Sequence, residues 1–364
     1  MTATETYVFT GGGTGGHLFP GLAVAEELRA RRPDCRIVFV GSDRPIEAEV
    51  LAREYAEHVA LPIRSSADLK RRPWRFVIDN LRSLRAAGRL LRELRPRAVL
   101  GLGGFASLPT LVQARWQRIP TLLLEQNAIP GRVTRLCARS ARTVCLTFGE
   151  AAARLPGTHG VVTGNPVRRS IATLHQAQPE SHKPILLILG GSQGAESLNV
   201  AVRRWIQSAP SALQDWTVWH QTGARQQFEL AAEYARLGVA AEVAAFWTDL
   251  PERYSRAGLV ISRAGATTIA ELLCARLPMV LLPYPHAADN HQQANAVSLS
   301  QAGAARIVPH AVDPVETARQ LAEAVEPLLA STADRQRLSD ACGPLARPLA
   351  ARSVVDLLLA AAPR

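Results

Sequence analysis

The sequence predicts an α/β chain of two Rossmann-like domains, each a parallel sheet with helices on both faces. Three observations carry this reading. At 364 residues the chain is long enough for two domains. Short apolar runs alternate with helical stretches along its whole length, the pattern of parallel sheets. Both halves also open alike. Residues 7–10 run into GGGTGGH and then a helix, and residues 185–189 run into GGSQGAESLN and then a helix.

In the first half, strands are expected at 7–10, 36–40, 98–102, 121–124 and 143–146, where apolar residues run on with no helical period. Helices fit at 18–31 and 74–94. In the latter, Leu81, Leu84, Leu91 and Leu94 form an apolar stripe while Arg82, Arg85, Arg89 and Arg92 recur at helical spacing. The second half predicts strands at 185–189, 217–220, 239–244, 259–261 and 279–282, with helices at 196–207, 225–236, 267–275 and 294–301. The motif GNPVRRS at 164–170 interrupts the pattern, so the domains are expected at 1–165 and 166–342. An Ala-rich closing helix within 343–364 is expected to pack back on the first domain. Ligands of such sheets bind at the carboxyl ends of the strands. Two facing domains would therefore put both glycine loops on one shared cleft.

The formal net charge is +11, which points to an anionic partner. Most of the excess lies in residues 69–97, with ten Lys or Arg against two acids. This stretch interleaves Lys70, Arg71, Arg72 and Arg75 with Trp74 and Phe76, which suits an anionic membrane surface. A solvated helix face is the plainer alternative. Nucleic acid is not expected, since no base-reading motif accompanies the charge. The five scattered cysteines suggest reduced thiols rather than zinc or a disulfide frame. No signal-peptide pattern and no apolar run of membrane-spanning length is present, so a cytosolic protein, or one held on a membrane from the cytosolic side, is expected.

The glycines of GGGTGGH allow a tight turn and close backbone approach to a ligand, and the helix that follows directs free N–H groups at a phosphate. Gly11, Gly13 and Gly16 also satisfy the G-x-G-x-x-G dinucleotide fingerprint, and Asp43 ends the second strand where a ribose-binding acid would lie. An NAD(P)-dependent oxidoreductase is thus one reading of the loop, and a basic scaffold acting through residues 69–97 is another. His17 would open the helix and face the ligand. GLGGFAS (101–107) is a third glycine loop, and EQNAIPGR (125–132) reads as a polar ligand wall or a capped turn. In the second half, Ser192 and its loop amides suit a diphosphate. In SRAGATTIAELL (262–273), Glu271 is placed to accept both hydroxyls of a ribose, or else to complement a helix dipole. PYPHAADNHQQANA (283–296) is unusually polar for a connection. Its His286, Asp289 and His291 match no zinc spacing, and the chain has no Asp-x-Asp pair, so no metal is expected.

GGTGGHLFPGLAVAEEL, GLGGFAS, EQNAIPGR, TGNPVR, GGSQGA, SRAGATTIAEL and PYPHAADNHQQANA occur together in the order and spacing of one family. As a set they resemble glycosyltransferase family 28, specifically the peptidoglycan-synthesis N-acetylglucosaminyltransferases. The resemblance spans residues 6 to about 310. It implies a GT-B fold and inverting transfer of GlcNAc from UDP-GlcNAc to the muramoyl 4-hydroxyl of undecaprenyl-diphospho-muramoylpentapeptide (lipid I), giving lipid II. No cofactor is implied. The implied setting is the cytoplasmic face of the cell membrane, with cell-wall synthesis and division proteins as partners.

By the same resemblance, Ser192 would contact the donor diphosphate and Arg168 would lie near the uridine. The backbone around Phe246 and Trp247 would edge the uracil. Ala266, Thr267, Thr268, Ile269 and Ala270 would line the diphosphate helix, and Glu271 would bind the ribose. Gln292, Asn127 and Thr14, Gly15 and Gly16 would hold the GlcNAc. Gly12, Gly13, Gly103 and Gly104 would cradle the acceptor diphosphate. Lys70, Arg71, Arg72, Trp74, Arg75, Phe76 and Trp116 fall at the family's membrane-associating patch. His17 is the candidate general base, since inversion needs one group to take the acceptor proton. Two positions depart from the family pattern. Phe105 stands where a Tyr is expected, and Trp247 where a smaller aliphatic is expected.

Overall fold

A computed structural model describes residues 5–12, 15–54, 56–64, 73–174, 184–191 and 194–362. Its contacts divide the chain into two units, Met1–Arg168 with Leu349–Arg364, and Arg169–Pro348. The boundaries read from sequence, 165/166 and 342/343, shift to 168/169 and 348/349. The stretch before the last helix stays with the second unit because the buried Cys342 thiol faces the carbonyls of Leu277 and Ala304 there.

The first unit holds β1 (Thr6–Gly11), β2 (Arg36–Ser42), β3 (Glu57–Leu61), β4 (Ala98–Gly103), β5 (Thr121–Glu125), β6 (Thr143–Leu146) and β7 (Gly160–Val162). They pair in the order β3-β2-β1-β4-β5-β6-β7, parallel throughout. The second holds β8 (Ile185–Leu189), β9 (Thr217–Gln221), β10 (Ala241–Ala244), β11 (Ala257–Ser262), β12 (Met279–Leu281) and β13 (Ala305–Ile307). Their order is β10-β9-β8-β11-β12-β13, again parallel. In each sheet the order reverses beside the first strand, between β1 and β4 and between β8 and β11. That reversal opens the crevice where a doubly wound sheet takes its ligand, and both glycine loops leave from it.

Alternation along β1 builds two cores. Tyr7 and Phe9 face one layer with Leu28, Phe39 and Leu100, and Val8 faces the other with Val38, Val99 and Leu91. The closing helix, Ala350–Ala361, seats Val354, Val355 and Leu358 in the first of these layers. Arg31 of the first helix, Gly15–Arg31, pairs with its Asp356 at 2.5 Å. The second unit packs around Leu186, Ile188, Trp205 and Val218.

His220 lies fully buried in β9. Its Nδ1 lies 3.0 Å from the Tyr234 hydroxyl and its Nε2 lies 3.2 Å from Asn199 Oδ1. Asn199 uses its amide N–H groups on Thr222 O and Gln226 Oε1, so Oδ1 accepts and His220 Nε2 carries the proton. Burial pushes the imidazole pKa from 6.5 down to about 3. The folded chain therefore holds this ring neutral while an unfolded chain would protonate it. The contribution is complete above pH 6.5 and is lost as pH falls toward the folded value, by about 1.4 kcal/mol per pH unit. Denaturation midpoints taken between about pH 7.5 and pH 5.5 should fall more steeply for the native chain than for His220→Gln. Equal slopes would refute a neutral buried His220.

Candidate active site

In the first unit, β1 ends in Gly11 and Gly12 and β4 ends in a turn at Gly103 and Gly104. The turn takes φ of 98° and 75°, a region that favours glycine. A Cβ on Gly103 would lie 2.9 Å from His17 Nδ1, and one on Gly104 would lie 2.7 Å from the Gly12 carbonyl oxygen. His17 therefore rests on this turn, and Gly12, Gly103, Gly104 and His17 form one cluster. Gly15 and Gly16 begin the helix below it. Gly13 and Thr14 lie outside the described residues.

Behind the loop sits a side chain that the sequence reading passed over. Glu47 is fully buried, and its carboxylate accepts from the Ser42 amide at 2.8 Å and the Ser42 hydroxyl at 2.5 Å. It occupies the space where a Cβ on Gly12 or Gly41 would project. Gly12→Ala would drive a methyl into that carboxylate, at a cost of about 1–3 kcal/mol. Its melting temperature should drop and turnover should fall with it. An unchanged melt would mean the loop has room for a side chain.

EQNAIPGR resolves into two roles. Glu125 is buried and holds its own turn, accepting from the Asn127 amide at 3.0 Å and the Gly131 amide at 2.9 Å. Gln126 donates to Leu102 O at 2.7 Å, tying β5 to the end of β4. Asn127 is half-buried beside them. Arg168 belongs to the first unit, its guanidinium 4.8 Å from the Phe19 ring.

In the second unit, Gly190, Gly191 and Gly194 follow β8; Ser192 lies outside the described residues. A Cβ on Gly194, at φ 77°, would lie 2.7 Å from Thr222 O, so this loop lies flat on the end of β9. The helix Ala266–Cys274 starts at the end of β11. Ala266, Ile269, Ala270 and Glu271 are buried in it, while Thr267 and Thr268 are half-buried. The Tyr254 hydroxyl donates to Glu271 Oε2 at 2.9 Å, which fixes the carboxylate. Gln292 accepts from the Tyr284 amide through Oε1, committing its carbonyl and not its NH2.

Trp247, where a smaller aliphatic is expected, is accommodated in the core of the second unit. Its ring is buried beneath Arg253, 4.1 Å from the guanidinium, and Arg253 is itself held by Glu242 and Asp249. The larger side chain is thus absorbed by packing. Arg263 was also missed. It donates to Leu282 O and Pro283 O and to the Ser197 hydroxyl, and burial lowers its pKa to about 10. It remains a cation at neutral pH, held by neutral groups. An Arg ending the apolar run LVIS was the available signal. Among the described residues no three His, Cys, Asp or Glu side chains gather as metal ligands.

The basic helix, Pro73–Leu94, divides along its length. Trp74, Val77, Ile78 and Leu81 are exposed, Trp74 at 61%, while Leu91 is in the core. The expected leucine stripe is therefore split, with Leu81 on the outer side. Arg75 stacks on the Trp74 ring at 5.1 Å. Phe76 does not stand with the exposed group, because its ring packs against Phe105, 6.1 Å between centroids. Trp116 is 64% exposed on the neighbouring helix Leu108–Trp116. Lys70, Arg71 and Arg72 lie outside the described residues.

Two parallel Rossmann-like sheets, each with a glycine loop at its switch point, define the α/β architecture of the GT-B class. Glycosyltransferase family 28 N-terminal and C-terminal domains match residues 7–146 and 185–350. The chain belongs to this family. It is 38% identical over 355 residues to an Anaeromyxobacter sp. (strain Fw109-5) protein, covering 96% of this chain and 92% of that one. It is 37% identical to a Geobacter sulfurreducens protein, covering 97% and 98%. Both are named UDP-N-acetylglucosamine–N-acetylmuramyl-(pentapeptide) pyrophosphoryl-undecaprenol N-acetylglucosamine transferase. The crystal structure of Acinetobacter baumannii MurG matches with a TM-score of 0.74 at 30% identity, over 98% of this chain and 99% of that one. The dinucleotide reading of GGGTGGH and the non-enzymatic scaffold both fall away with this membership.

Proposed function

We propose that this chain transfers GlcNAc from UDP-GlcNAc to the muramoyl 4-hydroxyl of undecaprenyl-diphospho-muramoylpentapeptide, with inversion, releasing UDP. One observation carries the reading beyond family membership. Each unit pairs a glycine loop at its switch point with a side chain suited to one half of the reaction. In the second unit that side chain is Glu271, held by Tyr254 for the ribose hydroxyls. Ser192, the loop amides and the start of the helix Ala266–Cys274 take the diphosphate. Arg263, a half-buried cation held by neutral groups, favours the charge that builds on departing UDP. Gln292 and Asn127 take sugar hydroxyls, and Arg168 takes the uridine side.

In the first unit, His17 removes the acceptor proton as its oxygen attacks the anomeric carbon and the sugar–phosphate bond breaks. Gly12, Gly103 and Gly104 give the acceptor diphosphate close access to backbone. Trp74, Val77, Ile78, Leu81 and Trp116, with the arginines between them, dock on the anionic cytoplasmic leaflet where this acceptor resides. The chain works there as a peripheral enzyme, within reach of cell-wall synthesis and division proteins.

Thermal shift tests the donor assignment. UDP should raise the melting temperature, Glu271→Gln should abolish most of that rise, and NAD should give none. A rise with NAD and none with UDP would overturn it.

A further inference from the structure

Gln221 ends β9, between β8 and β10, and is buried. Its side chain reaches the loops that follow both neighbours. Nε2 donates to Gly191 O at 3.1 Å, in the glycine loop after β8. Oε1 accepts from the Trp247 amide at 3.1 Å, in the loop after β10. Its own carbonyl accepts from the Gly190 amide at 3.0 Å, and a Cβ on Gly190 would fall 2.9 Å from that oxygen. The amide orientation is set by its partners, because a backbone N–H requires the oxygen and a carbonyl requires the NH2.

We infer that Gln221 is a positioning residue that makes the donor site selective for uracil; this rests on the donor assignment proposed above. No peptide among the described residues is cis, so the Phe246 carbonyl and the Trp247 N–H point to opposite sides of one planar unit. Holding the N–H against Gln221 turns the Phe246 carbonyl the other way, as an acceptor. Uracil carries a hydrogen on N3 and can donate to such an acceptor. Cytosine has a bare lone pair at N3 and is repelled. Through its other end, Gln221 occupies the Gly191 carbonyl, whose partial negative charge would oppose a diphosphate. One side chain thus sets the base-reading peptide and the phosphate loop in register. Glutamine meets both demands, whereas leucine meets neither. Glutamate meets both only when protonated, with its O–H donating to Gly191.

The test compares native chain, Gln221→Leu and Gln221→Glu in calorimetric titrations with UDP and CDP, and in KM and kcat for UDP-GlcNAc from pH 6 to 8. The native chain should prefer UDP to CDP. In Gln221→Leu that preference should shrink by about tenfold or more, with KM raised and kcat much less affected. In Gln221→Glu, KM relative to the native chain should rise with pH as the buried carboxyl ionises and repels Gly191 O. UDP-GlcNAc has no group of its own titrating there. Should Gln221→Leu fail to fold, the pH trend of Gln221→Glu decides alone. An unchanged UDP-to-CDP preference, or a pH-independent KM ratio for Gln221→Glu, overturns the inference. A native chain that binds neither nucleotide overturns the donor assignment instead.

Discussion

His17→Ala should lower kcat by about 10²–10⁴-fold while the affinity for UDP-GlcNAc stays within about twofold of native. The ring lies on the Gly103–Gly104 turn of the first unit, whereas Glu271 and the diphosphate helix of the proposed donor site belong to the second. Removing it would take away the proposed proton acceptor and leave the proposed uridine and ribose contacts intact. The split between kcat and donor affinity is the informative quantity. Single-turnover rates with a soluble acceptor analogue, beside UDP titrations, measure both. Retained turnover would remove His17 as the base. A parallel loss of UDP affinity would mean that it acts on the donor.

Val354→Asp should abolish folding of the first unit. Val354 is fully buried in the layer formed by Phe9, Leu28, Phe39 and Leu100, although it comes from the far end of the chain. A carboxylate there has no partner, and burying one costs more than about 4 kcal/mol. Asp356→Ala on the same helix provides the contrast. It breaks an ion pair to Arg31, but Asp356 is largely exposed, so less than about 1 kcal/mol is at stake. UDP titration should still report a folded second unit in Val354→Asp, while circular dichroism reports lost helix. A native-like melt would show that the closing helix is dispensable to the first core.

The paired architecture was legible because the central strands of a parallel sheet are buried on both faces and read as continuous apolar runs. Tyr7 to Phe9 and Ile185 to Leu189 are such runs. The three strands not anticipated, β3, β7 and β13, are all at sheet edges. Glu57–Leu61 and Gly160–Val162 are largely half-buried or exposed, so burial leaves little pattern in them. The strand expected at 239–244 shortens to Ala241–Ala244 for the same reason.

The candidate site was legible where a motif concentrates glycine or polar residues, as at GGGTGGH and SRAGATTIAELL. Residues acting from behind the loops left little trace. Glu47 looks like an ordinary helix acid until Gly12 and Gly41 are seen to open onto its carboxylate. Gln221 is one more polar residue at a strand end until both its hydrogen bonds are traced. Phe76 read as an exposed membrane aromatic, yet it packs on Phe105. Helical spacing alone cannot distinguish an inward aromatic from an outward one.

The central claim is best tested by supplying radiolabelled UDP-GlcNAc and a lipid I analogue to the native chain, with and without EDTA. One GlcNAc should be joined to the muramoyl 4-hydroxyl in β linkage, with one UDP released per transfer and no loss of rate in EDTA. No label on the acceptor from a chain that binds UDP, or a retained α linkage, would contradict it.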